Sequence, residues 1–336
     1  MSIPVSDPRV LDDLVAWLEA IGRPAAETPT LMPGDVSLRR YARVVLAEGE
    51  AAIAAYYPPE IRSAQTRFDA AAELLERERV RVPRRLVTDR ERGWSLVEDL
   101  GVRTLYDHRD ASWEALEPAL AEAVEIAGRI GRIPAEAVDA LGSPPLDREL
   151  LRRELRQTEN ALLEPAGALA DLETRAALDA ALGALCAELA REPARSCHRD
   201  FMARNLVVLG GELGGELGVL DFQDLRRGPA PYDVASLLND SLFPPDPVEA
   251  RLLELATGDP RPAPGYRRAV AQRALKAAGT FAAFAARGSD RHVRLIPGTL
   301  ARASEHLLRL PETADAWRRL LRRSGEDLGL PERLLH

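Results

Sequence analysis

His198-Arg199-Asp200-Phe201-Met202-Ala203-Arg204-Asn205 places an aspartate and an asparagine on one tight loop, and Asp221 follows shortly after. Between them lie two apolar runs, Leu206-Val207-Val208-Leu209 and Leu217-Gly218-Val219-Leu220, separated by the glycine-rich stretch from Gly210 to Gly215. Apolar runs on either side of a glycine turn predict a hairpin, which would carry Asp221 back beside the loop. Three such oxygen-bearing groups suit phosphoryl transfer to an alcohol. That chemistry needs a carboxylate to orient and deprotonate the hydroxyl, and oxygen ligands for a magnesium ion bridging nucleotide phosphates. Asp200 suits the first role; Asn205 and Asp221 suit the second. A His-Arg-Asp triplet alone is common by chance, so the reading rests on the whole spacing and its hairpin context.

The elements that must position these groups divide unevenly along the chain. Ser6 to Ile21 reads as a helix, with Ser6 or Asp7 as its cap and Val10, Leu11, Leu14, Val15 and Leu18 on one face. Pro24 to Pro33 breaks the pattern. Arg40 to Leu46 and Ala51 to Tyr57 predict two antiparallel strands, Ile61 to Arg79 a helix, and Arg85 to Thr88 and Trp94 to Asp99 two more strands. From Ser112 onward the pattern is mainly that of amphipathic helix, interrupted by the hairpin and by Pro/Gly-rich segments at 142–145, 243–247 and 258–265. The expected division is a small β-rich lobe over 1–100 with one crossing helix, and a larger helical lobe over 101–336.

Composition bounds the function. A net charge of −8 and a pI near 5.4 argue against a nucleic-acid partner, which calls for a clustered basic face. No apolar run reaches membrane-spanning length, and the first residues lack the basic-then-apolar pattern of a secretory signal, so a cytoplasmic protein is expected. Cys186 and Cys197 have neither metal-ligand spacing nor a disulfide framework and read as buried thiols. Of 45 basic residues only Lys276 is lysine, so arginine carries nearly all the positive charge.

The motifs together resemble the aminoglycoside phosphotransferase superfamily, the small-molecule branch of the protein-kinase-like fold. Asp221-Phe222-Gln223-Asp224 and the later Gly228-Pro229-Ala230-Pro231-Tyr232-Asp233-Val234-Ala235 are similar to its metal-aspartate block and the helix start that follows. Ser37-Leu38-Arg39-Arg40-Tyr41, Tyr57-Pro58-Pro59-Glu60 and Leu96-Val97-Glu98-Asp99-Leu100-Gly101 are most similar to the bacterial anomeric kinases that phosphorylate N-acetylmuramate and N-acetylglucosamine in cell-wall recycling. The resemblance implies an α+β, bilobal protein-kinase-like fold that uses ATP and Mg2+ on a small sugar, with a monomer favoured. Asp200 would be the catalytic carboxylate, with Asn205 and Asp221 holding the metal. His198 would brace the catalytic loop, and Asp233 would support it from beneath. Glu98 to Leu100 would present backbone groups to adenine.

The sequence also departs from the superfamily's broader pattern. The usual small-lobe lysine is missing from Ala51 to Tyr57, and the matching helix glutamate falls at Phe68. Joint loss is self-consistent, since neither charge is left unpaired. Arg39 or Arg40 could supply the missing positive charge, because guanidinium binds phosphate bidentately. The glycine-rich phosphate loop is also absent, and Ser37 with these arginines would stand in for it. Arg204 is either a solvated charge or a phosphate contact, and Gln223 and Asp224 are candidate acceptor-binding groups or simple turn formers. Competing readings are an aminoglycoside kinase, disfavoured by an arginine-rich 240–336 segment, and a nucleotide-binding pseudokinase.

Overall fold

The computed structural model describes residues 8–32, 38–240 and 242–331, which form two compact units. One comprises residues 1–103 with 207–223; the other comprises 104–206 with 224–336. Ser6, Asp7 and Ser37 lie outside the described residues.

The first unit is built on a five-stranded antiparallel sheet: β1 (Thr30–Leu31), β2 (Arg40–Val45), β3 (Ala51–Tyr56), β4 (Arg85–Asp89) and β5 (Trp94–Glu98), in the order β1-β2-β3-β5-β4. Alternation decides its faces. Ala42 and Val44, Ala52 and Ala54, and Trp94 and Leu96 all point one way, where they pack with Leu14, Trp17 and Leu18 of helix α1 (Pro8–Ala20). The alanines of β3 leave room for Trp17, which stacks on Trp94 at 5.7 Å and donates its indole N–H to Asp89 Oδ2 at 3.0 Å. Burying a side chain such as Leu14 or Leu18 stabilises by about 2 kcal/mol. The two-residue β1, within a proline-bounded stretch, is too short to show any period.

Helix α2 (Ser63–Arg77) packs in the same unit and carries no ion pair to β3. Two other devices anchor it. Buried Gln65 donates to Trp94 O at 2.8 Å and Ser95 Oγ at 2.9 Å, tying the helix to β5. Phe68 stacks on Phe222 at 4.7 Å, which ties the helix to the turn just after Asp221. The position where the superfamily pattern has a glutamate therefore makes an aromatic contact.

The second unit is helical: α3 (Trp113–Ile130), α4 (Ala135–Asp139), α5 (Arg148–Thr158), α6 (Leu172–Ala190), α7 (Tyr232–Asn239), α8 (Asp246–Thr257), α9 (Pro264–Ala286), α10 (Ile296–Leu307) and α11 (Ala314–Ser324). A small antiparallel pair, Ala194–Cys197 with Arg226–Pro229, leads into the 198–205 loop and is not apparent in the sequence because its strands are short and partly polar. α9 runs through the centre of this unit. A Cβ at Gly279 would clash with Thr158 Oγ1, so glycine is what allows α9 to approach α5 this closely. Both cysteines are buried, and burial pushes the Cys186 thiol up to about 12.

On α10, His306 is 2 % exposed, and neither ring nitrogen has a hydrogen-bond partner among the described residues. Burial, reinforced by Arg302, Arg267 and Arg309, pushes its pKa down to about 2. Below the ordinary value near 6.5 the unfolded chain takes up a proton that the folded chain refuses. Stability is therefore lost as pH falls, at about 1.4 kcal/mol per pH unit. Urea unfolding should show a loss of about 2 kcal/mol from this group between pH 7 and pH 5. His306→Phe should flatten that slope, and equal slopes in the two proteins would refute the assignment.

Candidate active site

In the second unit the loop after Cys197 turns through a left-handed residue, Arg199, with φ +79°. A non-glycine residue is held there only when its surroundings fix it. The fixing group is Asp233, on the first turn of α7. Its carboxylate accepts the backbone N–H of His198 at 2.7 Å and of Arg199 at 3.0 Å. The imidazole of His198 is fully buried and sits edge-on to Phe201 at 5.7 Å. Asn205 donates its amide to the Asp200 carbonyl at 2.8 Å, which fixes the amide's orientation.

Asp200 sits inside a cluster of charges that its own loop supplies only in part. Its Oδ1 is 3.1 Å from Arg273 Nη1 and 3.4 Å from Lys276 Nζ, both on α9. Lys276 also faces Glu154 of α5 at 3.6 Å, and Glu154 accepts from Arg199 at 2.8 Å and from Gln272 at 3.1 Å. Burial alone would push the Asp200 carboxyl up. Lys276, then Arg273 and Arg199, override it and hold the group well below the usual carboxylate range. Burial likewise pushes Lys276 down from the ordinary lysine value, against the pull of Asp200. The aspartate is thus permanently ionised and firmly oriented, which suits it to accept a hydrogen bond from a hydroxyl more than to act as a strong base.

Asp224, read from the sequence as an acceptor contact, bonds Arg199 at 2.6 Å and Arg226 at 3.2 Å. Its carboxylate is engaged in holding the loop. The Arg204 guanidinium lies over the Tyr106 ring, 3.5 Å from its centroid.

In the first unit Asp221 is exposed and left-handed, at φ +60°, and Gln223 donates to its Oδ1 at 2.5 Å. Gln223, the other sequence candidate for acceptor binding, is therefore a partner of Asp221. The Arg39 guanidinium hydrogen-bonds the buried Tyr57 and lies within the field of Asp221, whereas Arg40 donates to the carbonyls of Leu38 and Arg39 beside it. Arg39 also lies over the Tyr41 ring, 5.7 Å from its centroid. Arg43 of β2 donates to Asp99 at 2.6 Å, and Glu98 accepts from Arg81 at 2.6 Å and from Arg84 at 3.2 Å. Leu100 is 8 % exposed, and the backbone N–H groups of Glu98 and Asp99 donate to Arg84 O at 2.9 Å and Ala51 O at 3.4 Å.

Sequence reasoning left Arg273, Lys276 and Glu154 without roles. One signal was available: the chain retains a single ammonium group where arginine serves at every other basic position.

A profile of the phosphotransferase enzyme family matches residues 29–271. A curated N-acetylmuramate/N-acetylglucosamine kinase from Pseudomonas aeruginosa is 31% identical over 339 residues, covering 93% of this chain and 96% of the relative. A protein of the same description from Pseudomonas putida is 30% identical, with the same coverage. Among solved structures, the GDP complex of wild-type aminoglycoside 2'-phosphotransferase-IIIa superposes with a TM-score of 0.62 at 14% identity, over 90% of this chain and 98% of that one. A choline/ethanolamine kinase family protein from Mesorhizobium loti gives 0.57 at 15% identity, over 92% and 98%. These likenesses show a protein-kinase-like α+β fold.

Proposed function

The chain belongs to the phosphotransferase enzyme family, and from that premise we propose that it is an ATP-dependent sugar kinase acting on the anomeric hydroxyl of N-acetylmuramate, N-acetylglucosamine or both. The observation that carries the chemistry is the grip of Arg273 and Lys276 on the Asp200 carboxylate, at 3.1 and 3.4 Å. Phosphoryl transfer through a loose transition state asks mainly for positioning and charge, and little for base strength. A hemiacetal hydroxyl releases its proton more readily than an ordinary alcohol, so an oriented, weakly basic carboxylate fits that acceptor well. Two relatives at about this identity and near-complete coverage carry the corresponding name.

In this reading Asp200 accepts the hydrogen bond of the attacking hydroxyl and sets its line of approach. Asn205 and Asp221 would hold magnesium. Their donors are an amide oxygen and a carboxylate, the hard ligands that suit this ion, which takes its remaining ligands from phosphate and water. Among the described residues no group of three or more His, Cys, Asp or Glu is placed to hold a metal unaided. When bound, the ion neutralises phosphate charge. Arg39 would meet the nucleotide phosphates in place of the absent lysine, with Ser37 beside it, and Glu98 to Leu100 would offer backbone groups to the base. No helix among the described residues is long and apolar enough to cross a membrane, and the proposed setting is a cytoplasmic monomer.

Two measurements test this. ATP consumption should be seen with N-acetylmuramate or N-acetylglucosamine and not with kanamycin, with a phosphorylated sugar found by mass spectrometry. Turnover of kanamycin alone would overturn the sugar assignment. Arg39→Ala should raise the KM for ATP about 10- to 150-fold, the value of a charge-assisted hydrogen bond. Arg40→Ala should change it far less. The reverse order would reassign the phosphate contact to Arg40.

A further inference from the structure

A recess of about 120 Å3 opens in the second unit beside the loop that carries Asp200. Its wall includes Tyr106, Arg204, Asp240, Phe243, Phe281 and Arg294. Asp240 connects it to the charge cluster: Arg273 Nη2 lies 3.7 Å from Asp240 Oδ1, while Nη1 of the same guanidinium is 3.1 Å from Asp200. A molecule seated here would be one guanidinium away from the Asp200 carboxylate.

The lining has an uneven charge. Asp240 is offset by Arg273. Arg204 sits over the Tyr106 ring, and neither it nor exposed Arg294 enters an ion pair with a described residue. Two guanidinium groups without counter-charge therefore face one small recess, next to Phe243, which is 41% exposed and offers an open aromatic face. An aromatic platform receives the apolar face of a pyranose ring, a carboxylate such as Asp240 accepts from its hydroxyls, and guanidinium recognises a carboxylate in a planar, bidentate manner. A polycationic acceptor would be repelled. The geometry points to Arg204 and Arg294 as the residues that recognise a carboxylate on the acceptor, which makes them the determinants separating a sugar that carries an acidic side group from its neutral counterpart. This rests on the sugar-kinase reading. N-acetylmuramate, which bears a lactyl carboxylate that N-acetylglucosamine lacks, is the acid member of such a pair.

The experiment measures kcat/KM for both sugars in the wild-type protein and in Arg294→Gln, Arg204→Gln and Arg204→Lys. The quantity read is the ratio of the acid to the neutral sugar. Each glutamine variant should lower this ratio tenfold to roughly a hundredfold, the value of a lost charge-assisted hydrogen bond. Arg204→Lys should restore part of it. Arg294 is exposed, so its substitution tests the idea without a folding penalty. If both sugars decline together, leaving the ratio unmoved, the arginines serve the transferred phosphate or the fold, and the inference fails while the kinase reading stands. If wild-type protein phosphorylates neither sugar, the underlying reading fails first.

Discussion

Asp200→Asn should lower kcat roughly 10²- to 10⁴-fold, the range for loss of a positioned proton-accepting group. The asparagine keeps the size and one acceptor oxygen, so the loss reports the charge. The structure adds a second expectation. Arg273 and Lys276 each surrender a carboxylate partner, yet Asp240 remains 3.7 Å from Arg273 and Glu154 remains 3.6 Å from Lys276. The cost in stability should therefore be modest, about 1–3 kcal/mol. Adding Lys276→Met should recover part of that loss, because the two side chains are in contact and their effects should couple. Unaltered turnover in the purified single variant would remove Asp200 from the chemistry. Strict additivity of the two changes would show that Lys276 does not act on it.

The second large effect is expected at Asp233, which need not touch any ligand. Asp233→Ala leaves the backbone N–H groups of His198 and Arg199 buried without their acceptor, and it releases a left-handed residue from the contact that fixes it. Each unsatisfied buried donor costs about 1–3 kcal/mol, so roughly 2–6 kcal/mol is at stake. For a chain of this size the corresponding drop in Tm is on the order of 10 °C. Turnover should fall as well, because a small displacement of the loop misaligns Asp200. Asp233→Asn, which keeps one acceptor, should fall between Ala and the parent. An Ala variant with the parent's Tm and kcat would show that the loop is held by something else.

How far the site could be read from the sequence follows from the range of its interactions. The shared loop of Asp200 and Asn205 was readable because its spacing is itself the signal, and the strand pair before Asp221 because a hairpin is a local event. Asp233 was readable as a helix-start carboxylate with a local motif around it. The surroundings of Arg39 and Arg40 were not readable, because they depend on the register of β2: Arg40 pairs with Tyr56 in the ladder, and Arg39 precedes the strand. Arg273, Lys276 and Glu154 reach Asp200 from helices distant in sequence, and nothing periodic distinguishes them from ordinary helix-surface charges. The arginine partners of Asp224 were equally hidden: Arg226 is two residues away, but Arg199 reaches it from the 198–205 loop, which the sequence does not place beside it.

The solitary lysine has a practical consequence in proteolysis. An endoprotease that cleaves only after lysine has one site within these 336 residues, and that site is in the central helix of the second unit, with its side chain 13% exposed. The native chain should resist such a protease, and each cleavage should record one opening of α9 around the Asp200 cluster. Two fragments from a single cut make the record simple to read on a gel. Digestion that slows when acceptor or nucleotide is added would measure binding through the closure of that helix, with no label and no assay of turnover.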